Sequence, residues 1–270
     1  MIKIGTSGFT FRDWIGAFYP TGLPRGRMLE YYARHFDLVE INASYYRIPT
    51  RSTFKRMADV TPENFGFVVK TFKGMTHDRN CDDATYAQFH QSVQPLRDAK
   101  KLIGFLAQFP WSFKFSHQNL NYIQRLKENF AGDSLHIEFR NDTWLRDDVF
   151  NKLENSDIGF CMVDEPPLDG LLPPVTKTTT DIGYVRFHGR NTVDWWHPRK
   201  GSDRYNYDYS DDELAEWMPK INELLKRCKF ILIFFNNCHF GRAPKNAERM
   251  MELLDIKKPF LSSSQGELPL

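Results

Sequence analysis

Three polar-x-polar triplets carry most of the chemistry this sequence offers: Glu40-Ile41-Asn42, Glu138-Phe139-Arg140 and Arg186-Phe187-His188. Each closes a short apolar run. Successive side chains on a strand point to opposite faces, so residues two apart share a face. In each triplet two polar groups therefore look one way, while Ile41, Phe139 or Phe187 looks the other. Three strands aiming such pairs at one place would build a site. Lys70, Gln108, Asp164 and the pair Asn236-Asn237 close further runs, Arg190 follows His188 by two, and Tyr46 and His77 stand in adjoining loops.

Guanidinium groups present a planar fork of donors that matches phosphate or carboxylate oxygens. Arg140, Arg186 and Arg190, with Lys70 as a point charge, are thus candidate anion-binding groups. Asn42, Asn236, Asn237 and Tyr46 are candidates to orient a substrate or a water. Glu40, Glu138 and Asp164 are candidate bases, with His188 or His77 as the acid near neutral pH. The competing reading makes each of them a structural counter-charge, with Glu40 or Glu138 neutralising Arg140 or Arg186. Burying the whole set without a function would be costly.

Metal and nucleophile patterns are thin. There is no HxH, no HExxH and no CxxC among the eight histidines and four cysteines, so no metal ligands are assigned. A single divalent ion held by carboxylates and a histidine is the one metal arrangement the pattern allows, and nothing in the spacing calls for it. Ser7 lies in Thr-Ser-Gly rather than in a nucleophile elbow, and Cys161 and Cys238 read as inert thiols. The loop GRNTVDWWHPRKGSDRYNYDYS after His188 interleaves Arg190, Arg199 and Arg204 with Trp195, Trp196, Tyr205 and Tyr207. Such a loop can stack bases or sugars, or pack down as a lid.

The elements that must position these groups follow from the apolar runs. Strands are expected at about 2–5, 38–42, 66–70, 102–108, 135–140, 158–163, 183–188 and 230–235, with helices between most of them. Eight strands alternating with helices argue for one α/β domain over 1–270, a TIM-type (β/α)8 barrel. The connection 165–182 holds four prolines and no helical period, so strands six and seven are expected to be joined irregularly. Links from strand to helix are the long ones, at 6–24, 71–82, 165–182 and 189–210, and they gather where barrel ligands bind.

The rest of the composition sets limits. Hydrophobic residues make up 41% of the chain, the aromatic share is high and led by 23 Phe, and the net charge of +2 is too small for a surface that coats polyanions. The start, MIKIGTSGF, reads as a strand rather than as a leader, and no apolar stretch approaches the roughly 18–20 residues that span a bilayer. A cytoplasmic location with reduced thiols is the expectation. The final SSSQGELPL reads as a surface tail.

Seven motifs, in order along nearly the whole chain, resemble the family called domain of unknown function 72, the YecE-like proteins. They are GTSGFTFRDWIGAFYP at 5–20, VEINASYYRIP at 39–49, FVVKTFKGMTH at 67–77, QFP at 108–110, EFRNDTW at 138–144, YVRFHGRN at 184–191 and FNNCHFGRAPKNA at 235–247. The resemblance implies a TIM barrel similar to those of endonuclease IV and the sugar isomerases, and no settled reaction. It also implies a histidine after the Asn-Asn pair, where this chain has Cys238 followed by His239. The resulting expectation is an enzyme acting on an anionic, phosphorylated or nucleic-acid-derived substrate at the carboxyl-end mouth, with phosphoester hydrolysis the favoured reaction. The alternatives are a non-catalytic nucleic-acid- or phospholigand-binding protein and a metal-dependent sugar isomerase or epimerase.

Overall fold

A computed structural model describes residues 1–259. The expected tail at 262–270 lies outside the described residues. Eight parallel strands close into a barrel in sequence order: β1 (Ile2–Ser7), β2 (Leu38–Ile41), β3 (Gly66–Lys70), β4 (Leu102–Gln108), β5 (Leu135–Glu138), β6 (Ile158–Asp164), β7 (Ile182–Phe187) and β8 (Phe230–Phe235). Closure is made by β1 against β8, in register from Ile2 opposite Ile231 to Thr6 opposite Phe235. The fold is thus the TIM-type barrel that the alternating runs predict.

Local chemistry explains the boundaries. Helices start where a side-chain oxygen accepts from an unpaired backbone N–H: Thr50 from Thr53, Asp82 from Thr85 and Ser116 from Asn119. Ser210 and Glu213 form a capping box at the start of Asp211–Ala215. The connection after β6 forms no helix, and its four prolines give the reason. Gly5 permits close approach inside the barrel, since a Cβ there would fall 2.0 Å from the Leu38 carbonyl oxygen.

Both faces of the strands are buried. Phe139, Phe187 and Phe235 pack outward, on Trp144 and Trp217 among others, while the intervening positions fill the interior. There His136, Tyr184 and Phe234 pack as tilted rings, at 4.9 and 5.0 Å between centroids. Burial pushes His136 down to about 4, so this ring is neutral filling. The first loop is tied to the segment after β8 by Trp14, whose indole N–H donates to the Cys238 carbonyl at 2.6 Å. Among the described residues no helix is long and apolar enough to cross a membrane.

Candidate functional site

The three triplets do meet inside the barrel, and Arg186 is where they meet. It is 1% exposed, and its guanidinium donates to Glu138 Oε2, to Glu40 Oε1 at 2.7 Å and to the Ser7 hydroxyl at 3.2 Å. The second Glu40 oxygen accepts from the Tyr184 hydroxyl at 2.6 Å. Arg140 donates through Nε to Glu138 Oε1 and through Nη1 to Glu165 at 3.3 Å. Burial acts to raise the Glu138 carboxyl, but Arg140 and Arg186 overcome it and hold that carboxyl well below the usual range. Glu138 is therefore a fixed anion, and a poor proton acceptor.

This corrects two expected roles. Arg186 is held by Glu40 and Glu138 on opposite sides, so it is not free to clamp a substrate anion together with Arg140. Glu40 and Glu138, fully buried beneath it, balance its charge. The layer formed by Ser7, Glu40, Glu138, Tyr184 and Arg186 is a charged floor. The mouth lies above it.

Asp164 and Arg190 turn away from the mouth. Asp164 is the last residue of β6 and faces outward, accepting from the Trp217 indole at 2.7 Å and from the Tyr209 hydroxyl at 2.7 Å. Arg190 grips the same carboxylate with both arms of its fork, at 2.9 and 2.7 Å, and also reaches Glu216. Asn237 likewise serves the scaffold, bonding the Tyr207 carbonyl and Asn246 Oδ1 at 3.0 and 2.7 Å. Tyr46 stands three-quarters exposed on the rim.

The next residue supplies what Asp164 does not. Glu165, 4% exposed, accepts from Arg140 and from the Leu172 backbone N–H at 3.1 Å. Burial pushes its carboxyl up to about 7 against the pull of Arg140, which makes it a group that exchanges a proton near neutrality. The sequence reading missed it because β6 is apolar and buried on both faces, leaving no alternation to fix the phase. A slip of one residue exchanges the inward and outward acids.

Lys70 ends β3 and is partly buried. Its ammonium donates to Gln108 Oε1 at 2.7 Å and lies 4.7 Å from the centre of the Tyr45 ring. Burial first, and then Arg186, lower its pKa to about 7. The Ser44 hydroxyl, 2.9 Å from the Ile41 carbonyl and 2.5 Å from that of Lys70, locks the ends of β2 and β3 together. His77 packs edge-on against Tyr45 at 5.0 Å, and burial holds it down to about 4.

His188, at the end of β7, is buried and held down to about 3 by burial and by Arg140, so its ring is neutral. Its Nδ1 pairs with the Asn236 amide at 3.0 Å. Its Nε2 lies 3.2 Å from Glu138 Oε1 yet lacks a partner in hydrogen-bonding geometry. Asn42 Oδ1 is similarly buried and unpartnered. With pKa values near 3 and 4, neither His188 nor His77 is the charged acid that the sequence suggests; each is a neutral hydrogen-bonding group at pH 7.

The long loop after β7 packs down as a cover. Trp195 is 2% exposed, with its ring 5.8 Å from the Arg140 guanidinium carbon, and Tyr205 sits 5.9 Å from the His188 ring. Gly189 permits this descent: its φ is +89°, and a Cβ there would lie 2.6 Å from Tyr207 Cβ. Cys238, at the position where the family resemblance implies histidine, is buried with its Sγ 3.5 Å from the Ser7 carbonyl. Burial raises its pKa, so it is no acid at neutral pH. Among the described residues no group of three or more His, Cys, Asp or Glu side chains is arranged to hold a metal ion.

Comparison with known proteins gives a consistent picture. A family model described as "Protein of unknown function DUF72" matches residues 3–268. The UPF0759 protein YunF of Bacillus subtilis (strain 168) is 34% identical, over 99% of this chain and 100% of its own length. Among solved structures, a DUF72 family protein of Thermotoga maritima (TM1631) shares 40% identity with a TM-score of 0.87, over 94% of this chain and 99% of that one. A DUF72 family protein of Enterococcus faecalis (EF0366) shares 27% identity with a TM-score of 0.86, over 99% of this chain and all of its own.

Proposed function

The chain belongs to the DUF72 family, and we propose that it is an enzyme that transfers protons on a small substrate carrying one anionic group, bound at the carboxyl-end mouth of its barrel. One observation carries the reading. Above a floor whose charges are paired, the mouth holds Lys70, whose ammonium has Gln108 as its acceptor, and the buried Glu165 beside Arg140; burial drives the lysine down and the acid up, each to about 7. Acid–base catalysis works best with groups poised near the operating pH. A purely structural ion cluster would instead drive its members away from neutrality, as the floor does to Glu138.

Lys70 is the cation left for the substrate, since Arg140 is paired with Glu138 and Glu165, and Glu165 is the proton carrier. The ammonium of Lys70, a point charge, suits a carboxylate or a phosphate oxygen. Phosphodiester hydrolysis therefore stays within the reading, and Trp195 and Tyr205 supply apolar faces for the body of the substrate.

The test is a substrate screen of carboxylates and phosphodiesters, read by turnover and by binding. Glu165→Gln should lower turnover at least about 100-fold while binding survives, and Lys70→Met should weaken binding. Binding that falls steeply with salt and gives no turnover would contradict the enzyme reading, and would make the mouth a nucleic-acid or phospholigand platform.

A further inference from the structure

We propose that Lys70 acts covalently, its amine condensing with the carbonyl carbon of an aldehyde or ketone that also carries a carboxylate or phosphate, to form a protonated imine. The inference rests on the reading of the mouth as a site for an anionic substrate, and adds to it the substrate's carbonyl group.

A second lysine of the barrel shows by contrast what a structural amine looks like. Lys101 is 7% exposed, and its ammonium finds the Ala58 carbonyl, the Thr61 carbonyl and the Thr61 hydroxyl at 2.6, 2.7 and 3.1 Å. Three donors meet three acceptors. Lys70 has one acceptor, Gln108, and one ring face, Tyr45. Among the described residues no carboxylate stands within ion-pair distance of it, because Glu40 and Glu138 are taken by Arg186 and Arg140. One donor of this partly buried ammonium is thus left with neither an acceptor nor a ring face.

The charged groups that act on this amine are Arg186 and Arg140, which repel its proton, and Glu138 and Glu40, which retain it; His77 nearby is neutral. Burial and the arginines prevail and bring the Lys70 ammonium down to about 7, so free amine is present at neutral pH. An ordinary lysine titrating near 10.4 has less by about a thousandfold. Desolvation beside a second cationic group is how amines are activated for imine formation.

The step balances as follows. The nitrogen lone pair attacks the carbonyl carbon while the C=O π pair moves to oxygen, and a proton passes from nitrogen to oxygen to give a carbinolamine. The hydroxyl then takes one more proton and leaves as water as the nitrogen lone pair closes the C=N bond. Glu165 in its protonated form supplies that proton and ends as a carboxylate. Amine, carbonyl and acid become iminium, water and carboxylate, with no oxidant or reductant.

Borohydride reduction of the imine makes it permanent. The full-length protein is incubated at pH 7 with pyruvate, glyoxylate or dihydroxyacetone phosphate, reduced, digested and mapped by mass spectrometry. The expected result is a single reduced adduct, on the peptide carrying Lys70, at least tenfold above any other lysine. It should be lost in both Lys70→Arg and Lys70→Met once circular dichroism shows that they are folded. Measurable binding of these compounds with no adduct on Lys70 would overturn the imine and leave the anion-binding mouth standing. Labelling of Lys70 by uncharged propanal as readily as by pyruvate would support the imine and overturn the requirement for an anion. Adducts spread evenly over the lysines would overturn the proposal.

Discussion

Replacing Arg186 with methionine tests whether the charged floor is structural. The wild-type guanidinium satisfies Glu138, Glu40 and Ser7 at once from a position 1% exposed. In the variant Glu138 keeps Arg140 and Glu40 keeps the Tyr184 hydroxyl, so one buried negative charge loses its counter-ion. Removing one partner of a buried ion pair costs about 3–5 kcal/mol. For a domain of this size that is a fall in melting temperature of roughly 6–20 °C. The measurement is urea unfolding followed by both circular dichroism and tryptophan fluorescence, whose coincidence establishes two-state behaviour. Adding Glu40→Gln to Arg186→Met should recover about 1 kcal/mol or more relative to the sum of the single changes, because it removes the stranded charge. A loss within about 1 kcal/mol, additive with Glu40→Gln, would refute this reasoning and return Arg186 to the pool of groups available to substrate.

Three further outcomes are expected. Lys70→Met should stabilise the protein. The folded-state pKa of Lys70 lies below the unfolded value, so its contribution to stability is fully present above about 10.4 and is lost as pH falls toward 7. The gap bounds the cost at about 5 kcal/mol, and a gain of about 1–3 kcal/mol at pH 6, shrinking by pH 10, is the result to seek in denaturation curves. Asp164→Asn should cost about 1.5–3 kcal/mol, because Arg190 loses its charged hydrogen bonds to Asp164 but keeps Glu216; calorimetry should show this while ligand affinity at the mouth changes little. Gly189→Ala should cost about 1–2 kcal/mol for its positive φ, and should alter the tryptophan fluorescence as the Trp195 loop lifts.

The strands and the meeting of the three triplets were legible because each apolar run ends in groups that only a barrel mouth or a shared ion cluster can satisfy. Period-two alternation placed Glu40, Glu138, Arg140, Arg186 and His188 on the inner face, where they lie. Which of these charges cancel one another was not legible, because pairing depends on distances across strands 48 to 146 residues apart in the chain. The exchange of Asp164 for Glu165 has a different cause: in a strand apolar on both faces, nothing local states which acid looks inward. Arg190 and Asn237 stand just past their strands, where loop geometry rather than pleat decides direction. That Lys70 lacks a carboxylate could be seen only once Glu40 and Glu138 were known to be taken.

The central claim is that the mouth holds a lysine tuned for chemistry above a floor of paired charges. Lysine side chains labelled with 13C at Cε report each ammonium's titration by NMR without any knowledge of the substrate. One signal should titrate near 7 and vanish in Lys70→Met. If the signal lost in Lys70→Met titrates instead near the ordinary lysine value of about 10.4, the amine is an ordinary surface-type charge and the account is wrong.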